Sequence, residues 1–274
     1  MKRLLLIGHE GMLGSALFKV LAQLHTVATL DRSQFDILRA DWNSLNVSGF
    51  DYVLNAAGLI NRRQACAEDF YTVNSVFPHV LSALCARSGA RLIHFSTDCV
   101  FDGLNALYDE SSARSATDLY GRSKALGEPN LALVIRTSII GPEVKQFYNL
   151  LCWALSQTAI DGFTDHLWNG VTTLELARLV DDIISQSLFA EGVRHIFSNG
   201  CSKYALIKLI CDSFDHKVQL IPVSAPSPRD TRLRTNFAEF HHSLGIRSLE
   251  RQMTDLLPLT MPDGRWIRHR SSAA

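Results

Sequence analysis

The segment Lys2–Ile7, apolar from Leu4 onward, runs straight into three evenly spaced glycines, Gly8-His9-Glu10-Gly11-Met12-Leu13-Gly14, and then into a helical stretch, Ser15–Leu24. A strand with one wet face alternates apolar and polar residues. A strand that is apolar at successive positions is covered on both faces, as happens where helices flank a parallel sheet. The alternation continues: Thr26–Leu30 is rich in β-formers, and Asp51–Leu54 leads into Asn55-Ala56-Ala57-Gly58. A long helical pattern, roughly Ala65–Ser88, precedes another apolar run, Arg91–Phe95; Tyr120–Gly127 then reads as helix and Leu131–Arg136 as strand. These segments predict an α/β fold, a doubly wound parallel sheet over residues 1–140.

From about Gly141 the pattern is less regular. Leu174–Ser187 and Lys203–Asp215 read as amphipathic helices, whereas Asp161–Thr173 and Val223–Asn236 read as loops, with Pro222, Pro226 and Pro228 in or beside the second. Residues 141–274 are expected to form mostly a smaller mixed α/β lobe that binds substrate, with some segments returning to the first domain. The basic stretch Arg265-Trp266-Ile267-Arg268-His269-Arg270 is short enough to read as a frayed end.

Composition narrows the function. Hydrophobic residues make up 47%, too many for a disordered chain, and 27 Lys plus Arg balance 27 Asp plus Glu, which disfavours nucleic acid as a partner. A chain near this length buries roughly 75% of its unfolded surface, enough for one large core. The six cysteines form no C-x-x-C pair and the ten histidines no H-E-x-x-H, so reduced thiols and no metal site are expected. No apolar run reaches the ~18 residues of a membrane span. The opening apolar run breaks at Gly8, too early for the roughly 7–15 apolar residues of a signal peptide, so a cytoplasmic protein with no membrane partner is the expectation.

Two patterns carry chemistry. A strand, a glycine turn and a helix in succession offer backbone N–H groups and a positive dipole end to a pyrophosphate; the spacing here is G-x-x-G-x-x-G. At the end of the second strand Asp31 can accept from a ribose 2′-hydroxyl, and Arg32 can hold a 2′-phosphate, so NAD and NADP both stay open. Small residues at Asn55-Ala56-Ala57-Gly58 would let a cofactor ribose lie against backbone.

In Tyr120-Gly121-Arg122-Ser123-Lys124 the phenol and the ammonium share one helix face. A nearby cation lowers a phenol from its ordinary value of about 10, which makes Tyr120 a proton donor or acceptor near neutrality. Ser96-Thr97-Asp98 follows an apolar strand, so its hydroxyls stand at the carboxyl end of the sheet. There they can reach the same carbonyl oxygen as Tyr120.

In this order and context the chain resembles the extended short-chain dehydrogenase/reductases, specifically the dTDP-4-dehydrorhamnose reductase group. The likeness runs through Gly8–Gly14, Asp31–Ile37, Asn55–Ala57, Val73-Asn74, Ser96–Gly103, Tyr120–Glu128 and Arg136-Thr137-Ser138. It implies a Rossmann domain and reduction of a 4-keto nucleotide sugar by NADPH or NADH. By position, Thr97, Tyr120 and Lys124 would be the catalytic trio. Gly8, Gly11, Met12, Leu13 and Gly14 would hold the pyrophosphate, with Asp31 and Arg32 at the first ribose and Asp36 and Ile37 beside the adenine. Asn55, Ala56, Ala57, Gly58, Asn74, Ser96 and Lys124 would complete the cofactor path. Asp98, with Thr97, would face the sugar, and a homodimer is compatible with the resemblance.

Three positions depart from the group, all on the substrate side. Cys99 stands where tyrosine is common, Ile139 where tryptophan is common, and Ile60 where a polar residue is expected. Trp168 is the candidate for a replacement platform. These departures support one rival reading, a non-catalytic binding or regulatory subunit on the same fold; a further reading is an epimerase or dehydratase that recycles its cofactor, with Asp98 as the added acid a dehydratase needs.

Overall fold

A computed structural model describes residues 1–60, 65–105, 107–143, 149–261, 263 and 265. Its strands are β1 (Arg3–Ile7), β2 (Thr26–Leu30), β3 (Tyr52–Asn55), β4 (Arg91–Thr97), β5 (Leu133–Thr137), β6 (Ile139–Ile140), β7 (Ala159–Phe163), β8 (His166–Trp168), β9 (Val171–Thr172), β10 (Gly192–His195), β11 (Cys201–Ser202), β12 (Gln219–Val223) and β13 (Arg229–Asp230). The helices are α1 (Met12–Leu21), α2 (Ala67–Tyr71), α3 (Phe77–Ser88), α4 (Leu119–Leu126), α5 (Leu150–Ala154), α6 (Thr173–Ser185), α7 (Lys203–Ser213), α8 (Ala238–Ser243) and α9 (Leu249–Leu256).

Six parallel strands make the central sheet in the order β10-β5-β4-β3-β1-β2. The side-chain period of two divides β1 between two cores. Leu4 and Leu6 pack with α1 and α6 through Leu17, Leu21, Leu179 and Ile183, while Leu5 and Ile7 pack on the other face with Phe77 and Leu81 of α3. Burial on both faces explains why the strand is apolar at successive positions. The winding reverses between β1 and β3, and in an open sheet the crevice at the carboxyl ends beside such a reversal is where ligands bind.

The second lobe is built from short pieces: the parallel pair β7 and β12, the three strands β11-β8-β13, and β6 with β9. Its core joins Ile140, Leu151, Ile160, Trp168, Leu206, Ile210, Met253 and Leu256.

Three segments differ from the expectation. The stretch 161–173, read as a loop, carries the end of β7 together with β8 and β9, and β13 lies in the second expected loop. Strands of two or three residues are too short to show a period. The long helix expected near 65–88 is two helices joined by a π-helical turn, Thr72–Val76, which leaves the side chain of Asn74 pointing at the loop after β3. β10 lies beyond residue 140 yet pairs with β5 in the first sheet.

Among the described residues no helix is long and apolar enough to cross a membrane, and no group of three metal-ligating side chains converges. The basic tail lies outside the described residues except for Arg265.

Candidate active site

The crevice at the β1–β3 reversal is tight because its backbones nearly touch. Gly8 ends β1 with φ +86°, and a Cβ there would stand 2.6 Å from the Ala57 nitrogen. Only glycine takes that conformation without strain and leaves the room. The turn closes with the Gly11 N–H donating to the Gly8 carbonyl at 3.0 Å, and α1 starts one residue later. Gly11 provides no side-chain cap and the first turn of α1 holds no acid. Among the described residues, the first N–H groups of the helix therefore have no side-chain cap, as an anion-binding cradle requires. Leu13 and Gly14 are buried against the sheet.

At the end of β2, Asp31 is committed to its own turn. Its Oδ1 accepts from the Ser33 N–H at 2.7 Å, the Ser33 hydroxyl at 2.6 Å and the Gln34 N–H at 3.0 Å; these bonds, the Ser33 hydroxyl first, lower its pKa. The Arg32 guanidinium is largely exposed, 3.9 Å from Asp36, and Asp36 accepts from the Leu38 N–H. The Ile37 carbonyl accepts from the Trp42 indole at 2.8 Å.

Beyond β3, Asn55 Oδ1 accepts from the Ala57 N–H and its amide meets His94 at 3.2 Å. Asn74 is fully buried and spends its whole amide on the protein. It accepts from the Leu59 N–H at 2.8 Å and donates to the Leu59 carbonyl and to the Ser123 hydroxyl, both at 3.0 Å. It therefore pins the loop after Gly58 to the helix that carries Tyr120. Ile60 is exposed at the rim of that loop.

Thr97 ends β4, and α4 approaches it closely. Asp118 caps α4 by accepting from the Gly121 N–H, and a Cβ on Gly121 would come within 2.2 Å of the Cys99 carbonyl. This approach brings the Tyr120 hydroxyl near enough to Thr97 for the threonine hydroxyl to favour the phenolate. Thr97 in turn accepts from the Cys99 N–H at 3.1 Å and donates to Asp98 at 3.2 Å. One turn along α4, the buried Lys124 ammonium donates to the Phe95 carbonyl at 2.7 Å.

The electrostatics differ from the expectation of a lowered phenol. Desolvation in the cleft, reinforced by Cys99, Asp98 and Asp118, holds Tyr120 well above its ordinary range, while Thr97 works in the opposite direction. The phenol is thus a firm proton holder. Burial pushes Lys124 down to about 8, with Glu128 opposing. Burial and the Lys124 charge keep His94 neutral.

Ser96 is also placed differently from the expectation of a cofactor ligand. Its buried hydroxyl donates to Glu128 at 2.6 Å. Glu128 is held by Arg136 through two bonds of 2.7 Å, at side-chain exposures of 2% and 4%, so the pair lies almost entirely in the protein. Nothing in the spacing singled this pair out, although Glu128 follows Lys124 by one helical turn.

On the substrate side, Asp98 is buried and its carboxyl is raised by that burial. Thr97 donates to it at 3.2 Å, and the Lys203 charge and the nearby Thr231 and Ser138 hydroxyls favour its ionised form. Cys99 opens to the cleft, where its crowded surroundings and Asp98 push the thiol up to about 12. Ile139 is half-buried against the large core. Trp168 is not an open platform: it is only 3% exposed, locked in the core of the second lobe, with the Lys203 ammonium 5.3 Å above its ring. An indole surrounded by Ile140, Leu174 and Leu206 has no free face for a sugar.

A family model, the RmlD substrate binding domain, matches residues 1–258. The dTDP-4-dehydrorhamnose reductase of Aggregatibacter actinomycetemcomitans is 35% identical over 220 residues, which is 73% of this chain and 75% of that protein. The protein of the same name from Mycolicibacterium smegmatis is 29% identical over 213 residues, which is 73% of this chain but 65% of that one. Among solved structures, dTDP-4-dehydrorhamnose reductase from Bacillus anthracis in complex with NADP superimposes with a TM-score of 0.82 at 22% identity, over 94% of this chain and 99% of that chain.

Proposed function

The chain belongs to the family of the RmlD substrate binding domain, and from that premise we propose that it reduces a 4-keto nucleotide sugar with NADPH or NADH, in the making of deoxysugar precursors. The observation that carries this reading is the meeting of the Tyr120 hydroxyl with Thr97 at the carboxyl end of β4, one turn of α4 from a buried ammonium.

The cofactor fits the crevice described above. Gly8, Gly11, Met12, Leu13 and Gly14 would take the pyrophosphate on the uncapped start of α1. Asp36 and Ile37 would lie at the adenine, and Ala56, Ala57 and Gly58 along the nicotinamide-side ribose. Bound there, the dihydronicotinamide supplies a hydride to the carbonyl carbon. Arg32, exposed where Asp31 is occupied by its own turn, favours NADPH.

The protein's part is the proton. As negative charge grows on the substrate oxygen, Tyr120 gives up its hydroxyl proton to it, so that carbonyl becomes alcohol. On substrate binding Thr97 would turn its one hydroxyl proton from Asp98 to the same oxygen and keep it beside the phenol. The phenolate left behind is an unstable anion in a desolvated cleft, and the Lys124 charge compensates it until solvent returns the proton. Asp98 and Cys99 border the sugar.

Tyr120→Phe tests the reading. With a 4-keto nucleotide sugar, NADPH oxidation should fall by about 10²–10⁴-fold while NADPH affinity stays within twofold. Near-normal turnover would sink the proposal. Oxidised cofactor released in step with product separates a reductase from an epimerase or dehydratase that recycles it. NADPH binding with no consumption on any sugar would instead favour a non-catalytic subunit.

A further inference from the structure

The substrate side has lost two aromatics common in the family, at Cys99 and Ile139, and Trp168 is buried. Among the described residues a cation stands there without an assigned task. Lys203 opens α7, immediately after Cys201–Ser202, whose Cys201 is paired across the sheet with Trp168. Its ammonium sits 5.3 Å over the indole ring. An aromatic face attracts a cation and fixes where it points, without using its N–H donors.

Among the described residues Lys203 makes no hydrogen bond and no ion pair within 4 Å, so all three donors remain available. The Asp98 carboxylate attracts it, the Cys201 and Cys99 thiols lie near it, and burial works against its charge. Asp98 accepts from Thr97, and Thr97 lies beside the Tyr120 hydroxyl, so the ammonium lies within two side chains of the proposed proton donor.

We propose that Lys203 is a sugar-binding, specificity-determining residue: its ammonium, directed by Trp168 into the space beside Asp98 and Cys99, donates to the sugar oxygens next to the reacting carbonyl. The inference rests on the reductase reading and adds a residue to it. A buried carboxyl beside the ammonium disfavours a phosphate there, because the anions would repel. A neutral hydroxyl suits both groups: it accepts from Lys203 and donates to Asp98. Lys203 therefore reads the sugar and leaves the pyrophosphate to other parts of the lobe.

The test compares Lys203→Met, Lys203→Gln and Lys203→Arg with the wild type. Affinities for dTDP-rhamnose, dTDP alone and NADPH are measured by calorimetry, together with KM for the 4-keto sugar and the thermal midpoint. Loss of a charged hydrogen bond predicts about ten- to hundredfold weaker binding of dTDP-rhamnose by the Met and Gln variants. Binding of dTDP and NADPH should hold within twofold, the midpoint should be unchanged, and Lys203→Arg should recover part of the loss. Unchanged sugar affinity overturns the inference. So does an equal loss for dTDP and dTDP-rhamnose, or a loss that follows a lowered midpoint and weaker NADPH binding. A wild type that binds dTDP-rhamnose but never consumes NADPH overturns the reductase reading instead, and the calorimetry still decides the role of Lys203.

Discussion

Glu128→Gln changes one atom under the candidate site and should be costly. The carboxylate receives four donors: Ser96 Oγ at 2.6 Å, Arg136 Nε and Nη2 at 2.7 Å each, and Arg114 Nη1 at 3.3 Å. Glutamine offers one oxygen and turns an NH₂ group toward donors, and the guanidinium of Arg136, 4% exposed, loses its counter-charge. Removing one partner of a buried ion pair costs about 3–5 kcal/mol. At about 2–4 °C per kcal/mol for a domain of this size, the melting midpoint should fall by roughly 6–20 °C. Thermal and urea unfolding followed by circular dichroism measure this. The paired variant Glu128→Leu/Arg136→Met should recover most of the loss, since apolar replacement of both partners is often neutral. Burial alone would raise the Glu128 carboxyl, but Arg136, Ser96 and Arg114 outweigh it and the net shift is downward. Its stabilisation is therefore complete above the unfolded value of about 4.3 and lost as pH falls through the lower folded value, so the two melting curves should converge in acid. A Glu128→Gln protein melting within about 3 °C of wild type at pH 7, a difference near 1 kcal/mol, would refute the argument.

Two further outcomes follow from the charges around the crevice. Arg32→Ser should cut kcat/KM with NADPH about tenfold and leave NADH little changed, the loss expected for one charge-assisted bond to a 2′-phosphate; an unaltered ratio of the two would remove Arg32 from cofactor selection. Because burial brings Lys124 down to about 8, kcat/KM for reduction should fall as pH rises through about 8, and the limb should move to lower pH in Glu128→Gln, which loses the group that supports the ammonium. The same shift has the opposite sign for stability: between about 8 and the unfolded value of about 10.4 the unfolded chain binds more protons, so this group makes folding more favourable as pH rises. A profile flat to pH 9.5 would show that the ammonium is not required.

The central sheet was legible because its causes are local. β1 is apolar at Leu4–Ile7 since both faces are covered, and the glycine turn that ends it must pass within van der Waals distance of Ala57. The positions of Thr97, Tyr120 and Lys124 at the sheet edge follow from the same local logic, a strand end and a helical period. Their electrical state does not. The expected lowering of the phenol assumed a lysine aimed at it, whereas the ammonium donates to the Phe95 carbonyl and desolvation dominates the phenol. The Ser96 hydroxyl is taken up for a similar reason: Glu128, just past the end of α4, meets Arg136 of β5, a pairing that no spacing announces.

The substrate side is harder to read because of how it is assembled. Asp98 comes from the turn after β4, Ser138 from the link between β5 and β6, Lys203 from the start of α7 and Thr231 from just past β13. Only the first two lie in the stretch that most resembles the family. The other two reach the cleft through two-residue strands, β11 beside β8 and β8 beside β13, which leave no periodic trace. A cofactor is the same molecule in many enzymes, so one contiguous strand, turn and helix can hold it. A sugar differs from enzyme to enzyme, and here the proposed sugar site draws side chains from the lobe whose pairing is least regular. Cys99 and Ile139 therefore do not imply a lost site: the groups proposed to border the sugar need only be brought beside Asp98, and in this chain a lysine from more than a hundred residues downstream is brought there.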